Sequence, residues 1–408
     1  MNTKAIEVAL SEPITLSPPF LPVVIGFFFA FRLFDVLIAV RLLGQDAQIG
    51  VGAGLALNYL LFVGVAFYSI GSNSTSMRSM RQLPMARWVL LFLCFTGVSL
   101  LWSGTTSLAA ATAFWLAMVT DTAMIVLLLR KGPADAVIDG VMTGYIWGAC
   151  IIAAIAWLLP SQSDLRLGDE ELLGPNQIGY VCAFAFFFTQ YRMRFMRRAL
   201  SLPAVLLAVT LLRSLSKTTI IAFIVGQSYI LLRDRSLSRR TKWVLAFSAA
   251  LVLAIFWGLL ESYYGIYTNA GNQADTLTGR LGLWAYFLSE AIQQPWIGHG
   301  FHSVWKIIPP FGPDQFEARH AHNELLQQFY AYGVMGVFMF VAIYGSLLRN
   351  LHRLAQSSLK TFFLGMLIFV LVRGLADTEP FDLSLPMWTI VMIGSLIQQN
   401  KNRSEVLA

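Results

Sequence analysis

Apolar segments recur along almost the whole of this sequence, separated mostly by short polar connections, and that spacing decides what it can fold into. About twelve can be drawn, over roughly 20–40, 50–70, 86–101, 105–129, 135–159, 176–191, 199–212, 218–232, 243–260, 325–348, 361–373 and 387–399. A helix crosses the hydrocarbon of a bilayer with about 20 apolar residues. Several of these segments are short for a full span, the seventh, eighth and last most of all. Charged residues are only 12% of the 408, about half of what a soluble globule carries, and an apolar content of 57% excludes a disordered chain. The reading is an all-α polytopic membrane protein with about 12 transmembrane helices in a single transmembrane domain, 1–408.

The connections then sort by charge. Odd-numbered ones (41–49, 102–104, 160–175, 213–217, 261–324 and 374–386) hold 8 lysines and arginines when Arg373 at the edge of the last is counted, whereas the even-numbered ones and both tails, with Arg87 at a segment edge, hold 20. Basic residues stay on the cytoplasmic side, so both termini are expected in the cytoplasm of a bacterial inner membrane, and the N-terminal stretch reads as a short cytoplasmic tail rather than a signal peptide. The net charge of +7 is thereby a topology signal, and no nucleic-acid partner is implied. Inside the first segment Arg32 and Asp35 are spaced to pair on one helical face. Cys94, Cys150 and Cys182 all fall in apolar stretches and read as packing residues without a disulfide.

The connection 261–324 is too long to be a simple turn. Within it GRLGLWAYFLSEAIQQPW has the spacing of an amphipathic helix, with Leu281, Trp284, Ala285, Leu288 and Ile292 along one stripe. The same loop collects His299, His302, His320 and His322. No His-Glu-x-x-His zinc pattern appears, and no metal or other cofactor is expected. His322, where the loop re-enters the membrane, reads equally well as a general base for a hydroxyl and as a helix-cap residue. Arg213 and Arg280 are external arginines in a chain that keeps its positive charge inside. They suit the bidentate recognition of a pyrophosphate, or else interfacial anchoring and pairing with acidic loop residues. Asn176 is a candidate N-cap or sugar contact. Asp377, Glu379 and Asp382 read as solvated charges, or as a groove for sugar together with Trp388.

Taken together, four pieces resemble the superfamily of O-antigen ligases and Wzy-type polysaccharide polymerases. HN, nine residues and GVMG (His322, Asn323, Gly333, Gly336) is similar to the ligase pattern. GRLGLW followed by QQPWIGHGFHSVW looks like a run in exopolysaccharide polymerases of the succinoglycan (ExoQ-like) type, with His299 standing where that run usually has tyrosine. RSLSKT resembles a Ser/Arg-rich turn between mid-chain helices, and the long loop before the third-last helix matches the family layout. The resemblance implies a GT-C-like, metal-independent glycosyltransferase whose site is periplasmic. It would use a glycan on undecaprenyl pyrophosphate as donor and an acceptor glycan or lipid A–core as acceptor, at the lipid bilayer, with a flippase and a chain-length regulator as partners. It assigns His322 the catalytic role, Arg213 and Arg280 the leaving pyrophosphate, Lys217 and Arg319 further substrate contacts, and Asn323 and Glu324 contacts beside the histidine. Exopolysaccharide polymerase is the first reading. O-antigen ligase is the alternative, and a polysaccharide-related transporter a third.

The charge asymmetry makes one prediction. Single cysteines placed at positions 306 and 314 should react with a membrane-impermeant maleimide added outside spheroplasts; protection of both until lysis would reverse the orientation.

Overall fold

The computed structural model describes residues 19–71, 79–162, 165–169, 172–259, 261–262, 265, 280–308, 318–355 and 357–407. The apolar segments fold as helices in their expected order. They are α1 (Phe20–Leu42), α2 (Ala47–Gly71), α3 (Ala86–Leu101), α4 (Leu108–Lys131) and α5 (Ala134–Leu158), then α6 (Pro175–Phe195), α7 (Ser201–Arg213), α8 (Lys217–Arg233) and α9 (Arg239–Ile255). The loop contributes α10 (Arg280–Gln293), and the chain returns as α11 (Glu324–His352), α12 (Ser358–Gly374) and α13 (Met387–Leu407). Among the described residues, five of them (α1, α2, α4, α5 and α11) are long and apolar enough to cross a membrane. In place of β-strands the described residues show one isolated bridge, Asp169 with Leu173.

Helix starts follow local chemistry. The Ser107 hydroxyl accepts the Ala110 amide at 3.2 Å ahead of α4, and the Ser357 hydroxyl accepts that of Lys360 at 3.2 Å ahead of α12, each satisfying a donor that the first turn leaves open. Pro175 opens α6, where a missing N–H costs nothing.

The closest helix pair is α1 against α5. Gly140, Gly144 and Gly148 recur every fourth residue on α5 and face Pro22, Val23, Phe27 and Ala30 of α1, while Gly26 of α1 faces the Val141 backbone. Small residues at this spacing let two helix backbones meet in a membrane, where van der Waals packing has to supply the association. Around this pair lies an aromatic core. Trp388 of α13 is buried, with its ring 4.7 Å from Phe29, 5.9 Å from Tyr145 and 6.3 Å from Phe188. It joins α1, α5 and α6, so it does not line a sugar groove as its place beside the acidic loop suggested.

Several polar groups inside the bundle are paired across helices. Arg32 binds Asp121 of α4, whose other oxygen accepts Asn58 of α2 at 2.7 Å. The expected Arg32–Asp35 pair does not form, because α4 offers a carboxylate that is itself held by a second donor. Outward faces remain apolar, as Leu57, Leu60, Val63 and Phe67 on α2 show, which suits contact with lipid.

Hydrogen bonds join all six odd-numbered connections at one end of the bundle. Arg41 meets Asp169 at 2.7 Å. Arg213 donates to the Leu165 carbonyl at 2.6 Å, and Arg280 to the Thr218 hydroxyl at 3.2 Å. The Gly104 amide donates to the His299 carbonyl at 3.0 Å, and His322 meets Asp377 at 3.0 Å. At the opposite end Asp234 binds Arg194 and accepts Ser358 at 3.1 Å.

The glycine stripe yields a paired test. Gly144→Leu would drive a side chain into the Val23 carbonyl and the Phe27 amide, whereas Gly52 has open space around it. Overpacking costs about 1–3 kcal/mol or more. Gly144→Leu should therefore lower the melting temperature of the detergent-solubilised protein and Gly52→Leu should not; equal melting temperatures for all three proteins would exclude the close α1–α5 approach.

Candidate active site

The site begins where α11 starts. Asn323 occupies the cap position, its side-chain oxygen accepting the Leu326 amide at 3.0 Å while its amide donates to the Leu375 carbonyl at 2.9 Å. That bond ties the head of α11 to the end of α12. Just upstream the chain is pinned from two sides: the Ala321 amide donates to Gln327 at 2.8 Å, and its carbonyl accepts the Trp284 indole at 2.9 Å. Between these anchors His322 takes φ 50°, a region in which non-glycine residues are uncommon. The turn aims its ring at the loop after α12.

There Asp377 is 2% exposed. Its Oδ1 lies 3.0 Å from His322 Nδ1 and 3.5 Å from His320 Nε2, and its Oδ2 accepts Arg373 at 3.1 Å. Arg373 also donates to Glu379 at 3.0 Å and lies 4.2 Å from the centre of the Tyr180 ring. Burial pushes Asp377 towards protonation, but Arg373 and the hydrogen bonds from the two histidines outweigh it and hold the carboxyl well below its ordinary range. Asp377 is therefore an anion at neutral pH and favours a proton on His322 Nδ1. That leaves Nε2 with the lone pair, the form an imidazole base needs. Burial first, and His322 second, push His320 down to about 4, so it is neutral.

The remaining loop histidines hold the scaffold. His299 Nε2 meets the Glu290 carbonyl at 2.9 Å. His302 packs against both Phe114 and Phe381, at 5.6 and 5.4 Å between ring centres, with Nδ1 2.9 Å from the Thr105 hydroxyl.

The other residues singled out from sequence divide into two groups. Arg213 donates to Leu165 and to the Ser161 hydroxyl at 3.0 Å. Lys217 opens α8, and Arg280 at the head of α10 reaches its neighbour Thr218. One turn along α10 from Arg280, Trp284 holds Ala321, so a single helix spans from the RSLSK turn to the histidines. Arg319 is exposed and lines a small pocket with His302, Gln327 and Phe381. Glu324 is buried and points away from the histidine, accepting Thr378 at 2.8 Å and the Ser384 amide at 2.9 Å; it fastens the loop 375–386 onto α11. Asn176 accepts Ser216 at 2.9 Å and Arg166 at 3.1 Å. It bridges two connections, and the cap position belongs to Gly174. On α10 the residues turned inward are Leu283, Phe287 and Ala291, whereas Leu281, Leu288 and Ile292 of the expected stripe are exposed.

Gly333 also has a different task from close helix packing. It takes φ 62°, ψ −157° within α11, a backbone state open essentially to glycine alone. The break leaves helix groups unpaired, and the loop 295–300 answers each in turn. The Val334 amide donates to the Pro295 carbonyl at 2.7 Å, the His299 amide to the Tyr330 carbonyl at 3.0 Å, and the Gly300 amide to the Ala331 carbonyl at 2.8 Å. The PWIGHG run is thus a strap that closes the interrupted helix.

Arg373 is not singled out by the sequence, and Asp377, read there as a solvated charge or part of a sugar groove, is instead the buried partner of His322. The available signal was Arg373 at the inner edge of an apolar segment, where an arginine needs a buried anion, with Asp377 four residues later.

The fold and the cluster define a polytopic helical membrane protein that presents a histidine–carboxylate pair and several arginines at one end. Residues 202–341 match the family described as O-antigen ligase, a stretch holding Arg213, Lys217, Arg280, Arg319, His322, Asn323 and Glu324. The chain is also similar to an O-antigen ligase of Pseudomonas aeruginosa PAO1, at 27% identity over 241 residues, covering 57% of this chain and 56% of that protein. Over residues 202–341 the chain is thus similar to the O-antigen ligase and Wzy-type superfamily. The carboxylate and guanidinium that face the histidines, Asp377 and Arg373, lie beyond the matched stretch.

The buried pair predicts its own mutational signature. Arg373→Ala leaves Asp377 and Glu379 without their cation, and removing one partner of a buried ion pair costs about 3–5 kcal/mol. The variant should lose most folded protein in fluorescence size-exclusion chromatography. Removing both charges, in Arg373→Met with Asp377→Asn, should recover part of it; no recovery would mean that the two residues do not act as a pair.

Proposed function

We propose that this protein is a membrane glycosyltransferase of the O-antigen ligase type. It moves a glycan from undecaprenyl pyrophosphate to a hydroxyl of lipid A–core on the periplasmic face of the inner membrane. What carries the reading is the His322–Asp377 pair, set in the same group of connections as Arg213, Lys217 and Arg280, within a chain whose matches bear the ligase description. The polymerase reading rested on the GRLGLW…QQPWIGHGF run. Much of that run serves as α10 and the strap across Gly333, so it argues for the shared architecture of the superfamily more than for one branch.

The chemistry needs no metal or other cofactor. His322 Nε2 takes the proton of the acceptor hydroxyl as its oxygen attacks the anomeric carbon. The bond from that carbon to the pyrophosphate oxygen breaks, and the lipid pyrophosphate departs with the electron pair. Negative charge grows on the leaving group in the transition state, where fixed cations lower the barrier most. This reading gives that role to Arg280 and Arg213, with Lys217 at the head of α8 as a further cation. A guanidinium carries five donors, of which Arg213 commits one to Leu165 and one to Ser161, and the others serve phosphate oxygens. Arg319, beside the histidines, contacts the acceptor. Asn323 and Glu324 act through position, by fixing the head of α11.

His322→Ala should reduce transfer in a purified assay by about 10²–10⁴-fold with membrane protein levels unchanged. Arg280→Ala and Arg213→Ala should each be severely impaired, with lysine at either position rescuing only in part, since an ammonium lacks the planar fork. Wild-type activity in His322→Ala would remove the base from the mechanism. In a deletion strain, accumulation of long lipid-linked chains together with unmodified lipid A–core fits a ligase; accumulation of single repeat units would restore the polymerase reading.

A further inference from the structure

The three polar atoms at the centre of the site form a closed triangle: His322 Nδ1 to Asp377 Oδ1 at 3.0 Å, His320 Nε2 to His322 Nδ1 at 3.2 Å, and His320 Nε2 to Asp377 Oδ1 at 3.5 Å. Hydrogen bonds alone do not satisfy all three edges. With both imidazoles neutral, if His322 Nδ1 carries a proton for Asp377, it cannot also accept from His320. If it accepts from His320, its contact with Asp377 sets lone pair against lone pair. A cation in the middle satisfies every edge at once. For ligand bonds of about 2.0–2.1 Å, as zinc makes to imidazole and carboxylate, tetrahedral geometry places neighbouring donor atoms roughly 3.3 Å apart, and the observed edges bracket that spacing. The two histidines and one carboxylate also lie within one 4.8 Å group of ligand atoms, and Arg373 and Thr378 hold the carboxylate in place from outside. The histidine side chains are 18% and 20% exposed, which gives an ion a way in.

We propose that His320 Nε2, His322 Nδ1 and Asp377 Oδ1 form a binding site for a divalent cation of the zinc class, and that its occupancy switches the histidine off as a base. The consequence follows from imidazole chemistry. A metal bound at Nδ1 takes the lone pair there, so the ring proton moves through solvent to Nε2. An Nε2–H group cannot accept the proton of an incoming hydroxyl. The nitrogen and oxygen donor set favours zinc, cobalt, nickel and copper over magnesium and calcium, which prefer all-oxygen ligands. The inhibition rests on the function proposed above, whereas the binding site does not.

The test uses the full-length protein in detergent, stripped with a chelator and titrated with zinc chloride against a chromophoric zinc indicator. One equivalent should bind to the wild type, with affinity at least about 100-fold weaker in His320→Ala, because a ligand loss should exceed the effect of losing an outer-shell partner. Magnesium should not compete. His320→Gln, which retains a hydrogen-bonding side chain, serves as the second variant if His320→Ala folds poorly. In the transfer assay zinc should inhibit the wild type reversibly, and the His320 variants should lose that sensitivity. Absence of stoichiometric binding, or equal affinity in the His320 variants, overturns the site. Loss of activity on stripping, with recovery on adding zinc, overturns the inhibitory role in favour of a resident metal. Tight, His320-dependent binding by a protein that performs no transfer leaves the site standing and counts against the functional reading alone.

Discussion

A single buried guanidinium holds together the end of this protein that carries the paired histidines. Arg373 closes α12 at a depth where an unpaired charge would be costly; its Nη2 donates to Asp377 and Glu379, the guanidinium lies against the face of Tyr180, and Nε and Nη1 are buried without a hydrogen-bond partner. Each contact positions a different element. Asp377 sets the loop against the histidines, Glu379 folds the next residues back, and Tyr180 links α6, whose hydroxyl in turn donates to the Ser384 carbonyl at 3.0 Å. The ionised state of Asp377, which decides which nitrogen of His322 carries a proton, depends on the same guanidinium.

The second constraint is the interruption of α11. A helix broken at Gly333 would leave backbone donors and acceptors unpaired where water is scarce, which is tolerated only if protein supplies the partners. The strap 295–300 supplies them, and the bonds that do so also anchor α10 to the bundle. One end of α10 carries Arg280, and Trp284 one turn on holds the carbonyl next to His322. Two sequence features that look independent, the proline–glycine run and the distant glycine of the returning helix, are therefore one structural device.

The distribution of roles among the loop histidines follows from the same geometry. His299 and His302 spend ring nitrogens on a backbone carbonyl and a threonine hydroxyl and belong to the scaffold. His320 and His322 face a shared carboxylate. Clustering alone marked all four, because composition along a loop carries no information about which rings converge.

What the sequence by itself determined was the helical membrane architecture, the order of its segments and the division of the connections into two sets. Those follow from local hydropathy and from charge, which are properties of contiguous residues. It also marked His322, Arg213 and Arg280, because charged and titratable side chains are conspicuous in an apolar chain. The tertiary structure alone decided the pairings. Arg32 chose Asp121 on another helix over Asp35 three residues away; Glu324 turned from the histidine beside it to Thr378 and Ser384; Trp388 went into the core; and Asp377 became the partner of His322 across 55 positions. A buried charge settles wherever a counter-charge and hydrogen-bond donors meet it in space. That meeting is set by the packing of helices distant in sequence, and no local pattern encodes it.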